Sequence, residues 1–282
     1  MSDIEQFVYL GTESNCVIAC TQYTDGRIER KQVARLPNPL GIKHGAPGGV
    51  AVEWVTAHPS GAWLYAAISY WDFAPGMIYT FAIDPDSGTL SQPDNGTPSG
   101  GYQIAQMALH GTRWLAAAHY LSGHVSLFDV SSGPPAGMQP LCVVELPDLR
   151  EKPPPPSAPL KASHVGLPLA HGLTFTPMGG WLVVVDTGQA RLVSLRVAPE
   201  CGGGALEVAH SLAVTDPTEE APSAGCVQRQ LRSRLGCRPR HAAFSSDGAT
   251  LVVLLEAANV LSVHGFDTAA APGCRGLEHA RS

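Results

Sequence analysis

The chain has 282 residues, of which 44% are apolar and only 15% charged, with 30 glycines and 24 prolines. That composition supports a large core and favours an all-β, turn-rich protein over a helical one. A formal net charge of −6 argues against nonspecific nucleic-acid binding, which needs a basic footprint, and no apolar run is long enough to span a membrane as a helix.

The N-terminus, Met-Ser-Asp-Ile-Glu-Gln, is acidic and lacks an apolar core, so the expectation is no secretory signal and a cytoplasmic location. The seven cysteines are scattered and odd in number, and no Cys-x-x-Cys occurs. They read as buried reduced thiols rather than a disulfide or metal framework. The eleven histidines form no His-x-x-x-His or His-Glu-x-x-His pair, so neither a metal nor another cofactor is expected.

In chain order, one pattern recurs. A first copy runs through Phe7 to Gly11, Cys16 to Thr24 and Ile28 to Leu36. The second has a turn at Pro59-Ser60-Gly61, the strand Trp63-Leu64-Tyr65-Ala66-Ala67, then Met77 to Ile83. The third has His110-Gly111, Trp114-Leu115-Ala116-Ala117-Ala118 and His124 to Val130, followed by a Pro-rich insert, Lys152 to Pro159. The fourth has Pro177-Met178-Gly179-Gly180, Trp181-Leu182-Val183-Val184-Val185 and Arg191 to Val197, followed by a polar insert, Asp216 to Gly236. The fifth has Asp247-Gly248, Thr250-Leu251-Val252-Val253-Leu254 and Val260 to Phe266.

A period of about 50 residues, with several strands per repeat and no helical pattern, is the signature of propeller blades. The Trp-Asp dipeptide occurs once, at Trp71-Asp72, which fits WD40 repeats poorly. The reading is a single β-propeller domain over residues 1–282. Its blades fall near 1–48, 49–100, 101–162, 163–236 and 237–282, the last with only three strands.

The first strand of each blade should line a central channel, and aligning the repeats brings out positions at one mouth of it. Taking Phe244 as reference, the residues four before each counterpart are Glu53, Gln103, His171 and Arg240. Those twelve after are Ser69, His119 (or Tyr120), Thr187 and Glu256. All are polar in otherwise apolar strands, the pattern of a binding mouth. The fifth repeat is the most informative. Its Asp-Gly turn between two apolar runs predicts a hairpin whose open ends bring Arg240 and Glu256 to one rim.

These residues resemble the seven-bladed propeller lactonases, a family that includes the propeller type of 6-phosphogluconolactonase and the carboxy-muconate cyclases. The resemblance rests on His58-Pro59-Ser60-Gly61-Ala62-Trp63-Leu64-Tyr65, on Gly236 to Glu256 with its Pro239-Arg240-His241, and on His171, Phe175-Thr176-Pro177 and Asp186-Thr187-Gly188. It covers residues 7 to 267. It departs where Tyr102-Gln103-Ile104-Ala105 replaces an expected Pro-x-His, and the family continues for about two further blades. The expectation is therefore about five blades of seven, in a chain either truncated or closed as a shorter ring.

The resemblance implies a metal-independent lactone hydrolase, with 6-phosphoglucono-1,5-lactone as substrate and the pentose phosphate pathway as its setting. It assigns His171 as general base or acid, Arg240 as binder of the substrate anion or oxyanion, and Glu256 as second acid/base or orienter of Arg240. Glu53, Gln103, His119, Asp186, Arg238 and His241 are candidate substrate-binding residues. Arg229, Arg232 and Arg234 either add positive potential or sit on a solvated loop. A muconate-type lactonising enzyme and a noncatalytic interaction scaffold are the alternatives. The Arg240–Glu256 pair reads equally as an inter-strand salt bridge, and Asp186 as a turn cap. The partner expected for either enzyme is a small-molecule lactone or sugar phosphate.

Overall fold

The computed structural model describes residues 3–38, 41, 49–70, 74–132, 139–149, 167–198, 205–214, 238–267 and 277–279. Both inserts, with Arg229, Arg232 and Arg234, lie outside the described residues, as does Trp71-Asp72. Among the described residues there is no helix.

Five antiparallel sheets follow one another along the chain. The first contains β1 (Ile4–Gly11), β2 (Cys16–Tyr23) and β3 (Ile28–Arg35). The second contains β4 (Ala51–Ala57), β5 (Trp63–Ser69), β6 (Met77–Ala82) and β7 (Thr97–Pro98). The third contains β8 (Ile104–His110), β9 (Trp114–His119), β10 (His124–Asp129) and β11 (Cys142–Glu145). The fourth contains β12 (Ala170–Phe175), β13 (Trp181–Asp186), β14 (Arg191–Ala198) and β15 (Ala205–Ala213). The fifth contains β16 (Pro239–Phe244), β17 (Thr250–Leu255), β18 (Val260–Phe266) and β19 (Leu277–His279). Within each sheet the strands pair in sequence order, the up-and-down meander of a propeller blade. The repeat foresees three strands in the last sheet, but a fourth, β19, is present. It is the first sheet that has three among the described residues.

The second strand of each repeat forms where the apolar run predicts it. In β9 and β13 every residue is buried, on both faces, as expected of a strand sandwiched between layers. In β17 burial alternates instead: Leu251, Val253 and Leu255 are buried while Leu254 is exposed. The tryptophans are core, as their repeating positions suggest. Trp114 and Trp181 are buried, and Trp63 packs on a cluster containing Tyr65, Ile78, Met107 and Phe128. Cys16, Cys20 and Cys142 are free thiols, the first two buried.

The chain divides into two compact units, Met1–Ala117 with Phe128–Pro140, and Ala118–Leu127 with Leu141–Ser282. The first is built on Val17, Val52, Leu64, Ile68 and Phe81, with the Tyr65 cluster beside it. The second is built on Trp181, Val183, Val185, Leu251, Val253 and Leu255.

Two features of the inner strands position the candidate residues. First, three of these strands carry a bulge at the same place. Pairing skips from Val52 to Trp54, from Ala170 to Gly172 and from Pro239 to His241, so Glu53, His171 and Arg240 are the extra residues. A bulge leaves its residue outside the ladder and re-aims its side chain. In β16 the bulge follows Pro239, which has no N–H to give to a ladder and suits a strand's first position.

Second, a hydroxyl at the end of a second strand latches the next sheet's inner strand. Ser69 Oγ accepts from Ile104 N at 2.9 Å and lies 3.4 Å from Ile104 O. Thr187 Oγ1 donates to Pro239 O at 2.6 Å. These latches align Ile104 with Pro239, and therefore Gln103 with Arg238 rather than with Arg240. Both residues have a left-handed backbone, φ 53° and 44°. Ala105 follows Ile104 as Arg240 follows Pro239. The span from Ile104 to Trp114 is one residue shorter than that from Pro239 to Thr250, so a fixed count back from the turn misses the matching place.

Candidate functional site

The fifth-sheet hairpin forms as the Asp-Gly signal predicts. Ser245 to Ala249 make the turn, with Gly248 at φ 74° and Ser245 Oγ held by Asp247 Oδ1 at 2.6 Å. At its open end Glu256 N donates to Arg238 O at 2.9 Å, closing β16 against the residue after β17. Arg240 Nη1 donates to both carboxylate oxygens of Glu256, at 3.0 and 2.9 Å. Arg238 Nη2 stands 3.8 Å from the same carboxylate. The Arg240–Glu256 pair is about two-fifths exposed on each side, so as a salt bridge it is worth at most about 1 kcal/mol. Both partners are open to solvent, where a ligand can reach them.

β12 brings His171 to the same place. Gly172 lets the strands approach: a Cβ there would lie 2.5 Å from Arg240 O and 3.0 Å from His241 Cα. His171 is 7% exposed, and its ring meets that of His241 edge-on at 5.0 Å and that of Tyr120 edge-on at 5.7 Å. The ring lies beside the Arg240 backbone, and Nδ1 is buried with no hydrogen-bond partner among the described residues.

Burial, and then the nearby charges of Arg240, His241 and Arg238, hold the His171 pKa down to about 3. The imidazole is neutral at neutral pH. A base of that strength is far from the range a general base needs, so the expected acid/base role fits His171 poorly, and a neutral hydrogen-bonding role fits it well. His241 is pushed down too, by burial and by Arg240, with Glu256 acting in the opposite direction.

The remaining candidates fall elsewhere. Asp186 is fully buried and committed: it accepts from Leu169 N at 2.9 Å, Gln189 N at 3.1 Å and Arg191 Nε at 2.8 Å. Arg191, itself 1% exposed, also reaches Ser211 Oγ and Pro147 O. Asp186 is thus the centre of a structural clasp, not a ligand contact. His119 is fully buried, with Nδ1 3.2 Å from His124 O, and its neighbour Tyr120 is the residue that meets His171. Ser69 and Thr187 are buried in the latches and Tyr120 is half-buried, so of the second polar series only Glu256 is exposed. Glu53 and Gln103 belong to the first unit, whereas the group around Arg240 belongs to the second. A surface cavity of about 240 Å³, lined by Gln32–Arg35 and Ser91–Pro93, involves none of the candidates. Among the described residues no cluster of His, Cys, Asp and Glu has metal-binding geometry.

The meander sheets and the bulged Arg240 hairpin invite comparison with known proteins. A model of the lactonase, 7-bladed beta-propeller family matches residues 16–274. The chain belongs to that family. No curated protein matches it. Among solved structures, a Bacteroides uniformis protein provisionally named a 6-phosphogluconolactonase is 19% identical with a TM-score of 0.65, and the match covers 98% of this chain and 68% of that one. A Bacteroides fragilis protein with the same provisional name is 17% identical with a TM-score of 0.68, covering 97% and 65%. The periplasmic gluconolactonase of Pseudomonas aeruginosa is 19% identical with a TM-score of 0.64, covering 94% and 64%. At these identities the likeness is one of fold. This lactonase-family chain spans about two thirds of the length of the structures it matches.

Proposed function

We propose that the chain is a lactone hydrolase whose site is the group on β12 and β16, and that its substrate is an anionic sugar lactone, 6-phosphoglucono-1,5-lactone. One observation carries the reading. Two bulges and one hairpin end bring a guanidinium, a carboxylate and a neutral imidazole together, with the ion pair open to solvent.

Hydrolysis requires water to add to the lactone carbonyl, the ring C–O bond to break, and a proton to reach the departing ring oxygen. Glu256 takes the proton from the attacking water, since it is the solvent-open carboxylate of the group. The Arg240 guanidinium, already fixed by Glu256, supplies donors to the oxyanion that develops on the carbonyl oxygen. Because Nη1 alone serves Glu256, the rest of the planar fork is left for substrate. His171 Nδ1 hydrogen-bonds to a substrate hydroxyl or the attacking water, which satisfies a nitrogen that is otherwise buried without a partner among the described residues. Glu256, once protonated, returns the proton to the leaving oxygen. The product is 6-phosphogluconate, a step of the pentose phosphate pathway, in keeping with a cytoplasmic location.

The test is the rate of lactone disappearance above its spontaneous hydrolysis, for the wild type and for Glu256→Gln. Acceleration by the wild type and loss in the variant are expected. A folded wild type that leaves the rate at the spontaneous level refutes the reading.

A further inference from the structure

Tyr120 breaks a rule that the other sheets keep. Ser69, Tyr120 and Thr187 each stand six residues after a strand-opening tryptophan, Trp63, Trp114 or Trp181. Ser69 and Thr187 spend their hydroxyls on the backbone of the next inner strand, at Ile104 and Pro239. The residue of β12 that matches Pro239 is Ala170, because each is the last paired residue before its bulge. A phenol is too long to repeat so close a bond to that backbone. The Tyr120 hydroxyl makes no hydrogen bond among the described residues, and its half-buried ring reaches one residue further, to His171. Both residues lie in the second unit.

We infer that Tyr120 is a positioning residue of the site: its ring, with that of His241, fixes the His171 imidazole and shields it from water. For catalysis this rests on the lactonase reading above. His171 is a bulge residue, so the ladder does not hold its side chain in place. Nδ1 has no hydrogen bond among the described residues to orient the ring. Packing must do so, and two rings stand nearly perpendicular to the imidazole, Tyr120 at 84° and His241 at 86°. The latch position has thus exchanged a bond to the strand before the bulge for a grip on the bulge residue itself. The charged groups that face His171 are Arg240 and Arg238, with His241 as a second titrating ring, and all three oppose a proton there. On β13 the neighbouring carboxylate is Asp186, which is committed to Arg191.

Three variants of the full chain test this. Tyr120→Phe keeps the ring, Tyr120→Ala removes it, and Tyr120→Ser offers the hydroxyl that latches sheet two without the ring. On the lactone, Tyr120→Ala and Tyr120→Ser should lower kcat by roughly tenfold to a hundredfold, the scale of a misplaced group, and change KM less. Tyr120→Phe should restore kcat. In a His171→Gln background Tyr120→Ala should cost nothing more, because the tyrosine acts through the histidine. Side-chain nitrogen NMR gives a readout that needs no turnover. His171 should stay neutral to about pH 3 in the wild type and in Tyr120→Phe. Its midpoint should rise by about one pH unit or more in Tyr120→Ala and Tyr120→Ser, where water reaches the ring. A loss of kcat that persists in the His171→Gln background overturns the proposal. So does a Phe variant as slow as the Ala variant, or a His171 titration that Tyr120→Ala leaves unmoved. If the wild type hydrolyses no lactone, the functional reading falls, and the His171 titration alone decides whether Tyr120 holds and shields the ring.

Discussion

Replacing Asp186 by asparagine removes one charge from the interior of the fourth sheet and changes the shape of the side chain little. The carboxylate and the Arg191 guanidinium are 0% and 2% exposed, and their contact is 2.8 Å. Asparagine can keep Oδ1 on Leu169 N and Gln189 N, but it then turns an amide N–H₂ toward Arg191 Nε, donor against donor. The guanidinium is left charged, buried and short of its counter-ion. Breaking one side of a buried pair costs about 3–5 kcal/mol, a large share of a typical total stability of about 5–15 kcal/mol. Denaturant unfolding should show the midpoint falling with an unchanged slope. Arg191→Met should cost a similar amount, because it leaves the carboxylate with two backbone donors. The double variant should cost clearly less than the sum, since the second change removes the charge that the first stranded. Single variants that each cost under about 1 kcal/mol, or that add, would refute the clasp.

Three further outcomes follow from the geometry. His171 is charged in the unfolded chain below about pH 6.5 but stays neutral in the fold until about pH 3, so stability is full above the higher value and is lost as pH falls. The slope approaches about 1.4 kcal/mol per pH unit, with His241 adding to it, and His171→Gln should flatten the profile between about pH 6.5 and 4.5; an unchanged profile contradicts the burial argument. Gly172→Ala places a methyl 2.5 Å from Arg240 O and should cost about 1–3 kcal/mol by thermal denaturation, with lactone hydrolysis reduced because β12 and β16 are forced apart. Thr187→Val should cost about 1–2 kcal/mol, since Pro239 O loses the hydroxyl of the buried latch; a neutral result means the latch contributes nothing.

Much of the fold is legible because each repeat carries its own local signals. The Trp-led apolar strands, the Gly turns and the Asp247-Gly248 hairpin all appear where residue pattern predicts them. The outer strands are not legible for the opposite reason. Thr97–Pro98 and Leu277–His279 are too short to show alternation, and β15 mixes Glu207, His210 and Ser211 into its run. At the site, counting from aligned turns finds the shared place of Glu53, His171 and Arg240. It cannot see that a bulge makes that place special, because a bulge adds one residue without a signature of its own. The same counting misplaces Gln103, and it mistakes Ser69 and Thr187 for mouth residues. A hydroxyl that latches two strands and one that faces solvent look alike in sequence. The Asp186–Arg191 clasp depends on contacts from Pro147, Leu169 and Ser211, which no local spacing reveals.

Arg240 is the centre of the proposed site. The decisive measurement is kcat/KM for 6-phosphoglucono-1,5-lactone in the wild type and in Arg240→Ala, with circular dichroism and Tm confirming that both are folded. The ion pair contributes little to stability, so the variant should remain folded while its kcat/KM falls by about a hundredfold or more. A folded Arg240→Ala chain that hydrolyses the lactone at the wild-type rate would contradict the site proposed on β12 and β16.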